Sequence, residues 1–262
     1  MSLAGRVRVM RDDFGQGVYS VRMEWGLIGA QACAADASLV VDVLSFSTSV
    51  TIATERGMHV FPCPWKDSRA YAFAEKHDAV LAVGRLDASR LDGAIRPSLS
   101  PAGLLEATPV PRLVLPSPNG SAITSGLRDS GSVVAIGCLR NARVASTWAA
   151  EHIAAGRTVA IIAAGERWDA DDSLRPCLED QLGAGAIASH LLAAGHTVSC
   201  SPEAIASARL FDSMAADLAE VMYDCVGGRE LTARGFLADV EAASALDASS
   251  TVPILRDGAF TR

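Results

Sequence analysis

The chain has 262 residues, half of them hydrophobic, and a formal net charge of −7. That length can bury a large core, the composition is globular rather than disordered, and the acidic balance argues against nucleic acid as a partner while leaving room for a local basic pocket. No apolar run is long enough for a membrane span, and six scattered cysteines without a CxxC pair or a secretory signal read as the reduced thiols of a cytoplasmic protein.

Residues 4–37 carry little pattern. Val18–Trp25 alternates like a strand, and Ile28–Ala35 is small and apolar, like a short helix. Leu39, Val40 and Val41 form a β-branched, apolar run that predicts a buried strand ending at Asp42. Ser45, Ser47, Thr48, Ser49 and Thr51 then lead into helical spacing up to Ala53. His59–Pro62 reads as a strand, Asp67–His77 as a helix and Ala79–Val83 as a third strand. This order favours a parallel or mixed sheet with helices on both faces.

Residues 86–111, with Pro97, Pro101, Pro109 and Pro111, predict a long loop. Arg112–Leu115, Val133–Gly137 and Thr158–Ala163 follow as strands. A turn at Pro116–Ser121 and a helix reaching about Ala155 lie between them. Leu178–Ala194 is helical and carries Gly183 and Gly185, which suggests close backbone packing. Ala204–Asp224 reads as one long amphipathic helix ended by Gly227 and Gly228, and Arg229–Leu246 as another. Thr251–Leu255 reads as an edge strand or an extended tail. No linker or repeat divides the sequence, so one domain over residues 1–262 is expected, mostly helical from about residue 200.

Loops follow predicted strands at Asp42, Arg85, Pro116–Ser121 and Gly165–Asp180. With parallel strands these loops share one edge of the sheet, where open α/β folds bind ligands. Asp42 is either a magnesium ligand or a helix cap, and the hydroxyls after it suit a phosphate or an ordinary turn. Asn119-Gly120-Ser121 reads as a turn in which a left-handed glycine exposes N–H groups to an anion, or as a plain turn. Arg140 and Asn141 are an anion clamp or a surface arginine and a helix cap, and Arg85 has the same two readings. Glu179 and Asp180 favour the dipole of the helix they open, or hold Mg²⁺. The five histidines show no pairing and read as surface or packing residues.

Several ordered blocks resemble the 2-phosphosulfolactate phosphatase family. They are VVDVLSFSTSV, VLAVGR, SLSPAGL, LVLPSPNGSAI, AIGCLRNARVA, IIAAGERW with SLRPCLEDQLGAGAI, and the tail GGRELTARGFLADVEAASALDASSTVP. The resemblance implies a three-layer α/β/α fold and Mg²⁺-dependent hydrolysis of a small anionic phosphate monoester, a 2-phosphorylated, 3-sulfonated acid on the route to coenzyme M. It implies Asp42, Glu179 and Asp180 as catalytic and metal-holding residues. Arg85, Ser100, Asn119, Gly120, Ser121 and Asn141 are the residues it assigns to substrate. The sequence departs from the family's usual Arg at Ser45, Glu at Gly84, Asn at Leu99 and Arg at Ala122, with Arg140 or Arg167 as replacements for the lost cations. These departures leave open a changed substrate, or a member that binds an anionic metabolite without turning it over. Apart from the substrate, the partner expected is at most a second copy of the chain, as a homodimer.

Overall fold

The computed structural model describes residues 12–84, 97–194 and 199–262. Among these, nine strands form one mixed sheet: β1 (Val21–Trp25), β2 (Ala37–Val41), β3 (His59–Cys63), β4 (Val80–Leu81), β5 (Arg112–Pro116), β6 (Val133–Gly137), β7 (Val159–Ala163), and, past the β8–β9 ribbon described below, β10 (Ile254–Arg256) and β11 (Ala259–Thr261). The order is β1-β7-β2-β6-β10-β11-β3-β5-β4. β1, β7, β2 and β6 form one parallel block, and β3, β5 and β4 form another.

The central strands are apolar on both faces because helices cover both. Leu39 and Val41 of β2, with Ile161 and Ala163 of β7, point into one layer. Val40, Ala160 and Ile162 point into the other, as the period of two requires. The first layer holds α6 (Ala142–Ala154), α7 (Leu178–Ala193), α8 (Pro202–Met214), α9 (Leu218–Asp224) and α11 (Leu237–Ser244). The second holds α1 (Gly26–Ala32), α2 (Phe46–Glu55), α4 (Pro101–Glu106) and α5 (Pro118–Asp129). α3 (Ser68–Lys76) covers Phe61, Cys63 and Val114 on the far face of the second block. This is the three-layer α/β/α arrangement. No helix among the described residues is long and apolar enough to cross a membrane.

Four expectations change. Thr251–Leu255 leads into the middle of the sheet, where the β10–β11 hairpin pairs antiparallel with β6 on one side and β3 on the other. Pro253 stands just before β10, so its missing N–H costs no ladder bond, and its carbonyl accepts the N–H of Ile136 at 2.9 Å. The proline-rich stretch contains α4, started by Pro101 and by Ser100, whose Oγ accepts the N–H of Gly103 at 2.9 Å. Ala204–Asp224 is α8 and α9 separated by a 3-10 turn at Ala215–Asp217. Gly227 and Gly228 open α10 (Val226–Ala233) instead of ending a helix, and a Cβ on Gly228 would sit 1.9 Å from the Met222 carbonyl oxygen.

Candidate active site

A cavity of about 620 Å³ opens beside the carboxyl ends of β2, β5 and β7, so strands of both parallel blocks feed it. One apolar cluster explains the convergence. It joins Val40 and Ile136 of the first block to Val60, Leu113 and Leu115 of the second through Phe46, Val50 and Ile123. The loops meet because two blocks pack on shared helices, and not along one continuous parallel edge.

Asp42, Glu179 and Asp180 line one wall. α7 packs directly on β2: a Cβ on Gly183 would come 2.7 Å from Val43 Cγ2 and 2.9 Å from Val41 Cγ1. That close approach brings the acids one turn earlier beside Asp42. Asp180 is buried, its Oδ1 accepting the N–H of Val43 at 2.7 Å and its Oδ2 that of Gly165 at 2.9 Å. Burial, then the charges of Asp42 and Glu179, push its carboxyl well above the usual carboxylate range. Glu179 is also buried, next to Gly227 and Cys225; burial first and the Glu179 charge second push the Cys225 thiol up to about 12. Asp42 Oδ1 accepts the N–H of Phe46 at 3.1 Å, so this side chain both caps α2 and lines the cavity.

The hydroxyl run after Asp42 is mostly consumed inside the fold. Ser47 Oγ donates to the Val40 carbonyl, Thr48 Oγ1 to that of Val43 and Thr51 Oγ1 to that of Ser47. Of the run, only Ser45 and Ser49 reach the cavity. Ser117, Pro118 and Asn119 bring the N-terminus of α5 to the same cavity. Ser117 makes no side-chain cap there, and the first-turn N–H groups of Asn119 and Gly120 have no helical acceptor by position. Gly120 belongs to this helical turn and its φ is not positive, contrary to the left-handed turn expected. Glycine is required for a different reason: a Cβ would lie 2.2 Å from Phe46 Cδ1.

The remaining wall comes from the β8–β9 ribbon, β8 (Glu166–Arg167) and β9 (Leu174–Arg175), and from α10. Asn119 Nδ2 donates to Glu166 Oε1 at 2.8 Å, tying α5 to that ribbon. Lys66, Arg167, Arg175 and Arg234 line the cavity, with Arg167 held by Asp172 and Arg234 by Glu230. Arg167 is a candidate from sequence; Lys66, Arg175 and Arg234 are not. SLRPC and GGRELTAR carry two of them, but only folding brings those blocks to Asp42.

The structure gathers Asp42, Asn119, Glu179 and Asp180 at the cavity. Ser100 caps α4 and donates to Asp239 Oδ1, Gly120 and Ser121 lie behind the wall, and Asn141 is buried in the core. Asn141 Oδ1 accepts the N–H of Cys138, and its Nδ2 donates to the Ile136 and Thr251 carbonyls, so its amide is spent on structure. Arg140 is buried and donates to the Ala242 carbonyl at 2.8 Å, away from the cavity. Arg85 lies outside the described residues. Among the described residues, no three His, Cys, Asp or Glu side chains are grouped so as to hold a metal ion. Asp180 has committed both oxygens to backbone N–H groups, which leaves Asp42 and Glu179 as the carboxylates suited to an ion that keeps most of its waters.

The family model for 2-phosphosulpholactate phosphatase matches residues 27–258, most of the chain and every wall of this cavity. No curated protein matches the chain.

Proposed function

Since the chain belongs to the 2-phosphosulpholactate phosphatase family, we propose that it hydrolyses the phosphate monoester of a small 2-phospho acid of the 2-phosphosulfolactate kind, releasing phosphate and the corresponding hydroxy acid. The observation that carries this reading is one cavity lined both by carboxylates, from the end of β2 and the start of α7, and by the α5 N-terminus. Free N–H groups and the helix dipole favour a dianionic phosphoryl group. Lys66 lines the same cavity, three residues past Cys63, whose carbonyl takes the Ser117 N–H at 2.8 Å. Preorganised donors aimed at phosphoryl oxygens supply much of the catalysis in such reactions.

Asp42 and Glu179 would hold Mg²⁺ directly or through its waters, and the ion would neutralise phosphoryl charge and lower the pKa of a bound water. Asp42, which lines the cavity, would orient the water that attacks phosphorus. Asp180 acts one step back, fixing the Val43 and Gly165 amides and with them the two loops that carry the site. Six free, buried cysteines support a reducing, cytoplasmic setting.

Phosphate release from a panel of small phosphate esters, sulfonated and not, with Mg²⁺ and with chelator, tests the proposal. Mg²⁺-dependent release is expected, and a sulfonated or carboxylated 2-phospho acid should be preferred. A second reading, anion binding without turnover, is favoured by the spent oxygens of Asp180 and by Ser45 and Ala122, where the family usually has arginine. Binding of the same esters with no release at any Mg²⁺ concentration would establish it.

A further inference from the structure

Resting on the phosphatase reading, we infer that Gly227 is a positioning residue: it leaves open the space in which the Glu179 carboxylate lies, and in doing so sets the chain's affinity for Mg²⁺. Both residues line the cavity, Gly227 from the first turn of α10 and Glu179 from the first turn of α7. A Cβ on Gly227 would stand 2.4 Å from Glu179 Oε1, 3.2 Å from Glu179 Cδ and 3.3 Å from Leu44 Cδ1. The backbone fixes where a Cβ lies, so a methyl group there cannot turn aside, whereas a carboxylate on a rotatable stem can. Gly228 gives the contrast. Its Cβ would stand 1.9 Å from the Met222 carbonyl oxygen, which is backbone. Gly228 is therefore demanded by the path of the chain, and Gly227 by one side chain.

The start of α10 is fastened where this contact occurs. Cys225, its N-cap, accepts the Gly228 N–H through Sγ at 3.3 Å and donates to the Met222 carbonyl at 3.2 Å, which closes the turn between α9 and α10. Glu179 comes from the other side, on a helix seated against β2 at Gly183. Negative charge is favoured against the first turn of a helix, so the α10 N-terminus suits the carboxylate it meets. Glu179 is only 6 % exposed, and its carboxylate cannot yield to a methyl group and keep its place in the wall. Asp180 has both oxygens on backbone N–H groups, so Asp42 and Glu179 are the carboxylates left for the ion. An ion held by two protein groups loses much of its affinity when one of them is displaced.

The test titrates Mg²⁺ calorimetrically into the full chain and its variants, with no ester present. In Gly227→Ala the Kd for Mg²⁺ should rise about tenfold or more, the size of effect seen when a group that orients a metal ligand is disturbed. The melting temperature without Mg²⁺ should stay within about 4 °C of the unaltered chain, because a side chain and not the backbone gives way. Glu179→Asp withdraws the carboxylate by one methylene, and in that background the same alanine should change Kd by less than about twofold. An unchanged Kd in Gly227→Ala, a larger fall in its melting temperature, or an equal loss of affinity in both backgrounds overturns the inference. So does an unaltered chain that binds no Mg²⁺. If Mg²⁺ binds and no ester is hydrolysed, the phosphatase reading fails, yet the comparison of Kd values still decides Gly227.

Discussion

Asp180 Oδ1 accepts the backbone N–H of Val43 at 2.7 Å, joining the start of α7 to the loop after β2. Its other oxygen takes the N–H of Gly165 at 2.9 Å, at the end of β7. One buried carboxyl therefore fixes two of the loops that build the cavity. Asparagine at this position keeps one acceptor and turns an NH₂ group toward the other N–H, at a cost of about 1–3 kcal/mol. The carboxyl keeps its proton to higher pH in the folded chain than in the unfolded one, where its ordinary value is 3.8. Below that value both states are protonated and its contribution is fully present. As pH rises above it the unfolded chain ionises first, and the contribution declines until the folded carboxyl titrates too. The stability gap between the unaltered chain and Asp180→Asn should accordingly narrow with rising pH, read from urea unfolding across that range. A gap that widens instead would mean the carboxyl is ionised in the fold.

Asp42 has two roles that one substitution separates. Its Oδ1 caps α2 through the N–H of Phe46, and asparagine caps a helix as well as aspartate does. Asp42→Asn should therefore leave the melting temperature close to that of the unaltered chain while lowering kcat by about 100-fold or more, the usual share of a positioned acid–base group. Asp42→Ala should lose the cap as well, at about 1 kcal/mol. Undiminished phosphate release by Asp42→Asn would remove this residue from the chemistry.

Local patterns made the layered architecture legible in advance. The runs Leu39–Val41 and Val133–Gly137 are apolar on both faces and alternate between two cores. Asp67 and Lys76 mark the ends of α3. What stayed hidden was decided by partners distant in sequence. Nothing near Ile254 announces that it pairs with Ala135, so a central strand reads as an edge strand or an extended tail. Asn141 and Ser100 carry the residue types of a binding site, but a buried amide and a helix cap use the same chemistry. Asp42, Glu179 and Asp180 are legible as candidates because each stands at the end of a strand or the start of a helix, and the three line one cavity. Arg234 follows α10, which only tertiary packing folds over the cavity.

Gly120 is held by Phe46 and not by backbone conformation. A methyl group there would overlap the ring, with Cδ1 at 2.2 Å and Cγ at 2.7 Å. Gly120→Ala should cost about 1–3 kcal/mol by overpacking and should lower activity, because Phe46 also lines the cavity. In Phe46→Leu the same alanine should cost less, so a double-mutant cycle on unfolding free energies gives a coupling of about 1 kcal/mol or more. Additive effects would place the strain elsewhere.

Asn141 joins the end of β6 to the segment that enters β10: it accepts from Cys138 at 2.8 Å and donates to Ile136 at 3.1 Å and Thr251 at 2.9 Å. Asn141→Ala strands three buried backbone groups at once, and the loss should be about 3 kcal/mol or more, enough to lower the melting temperature by roughly 6–12 °C in a chain of this size. Its side chain is fully buried and does not reach the cavity. KM for a phosphate ester, measured well below the new melting temperature, should then stay within about twofold of the unaltered value. A large rise in KM with little loss of stability would instead put the Asn141 amide on the substrate, and would require this region to open toward the cavity when substrate binds.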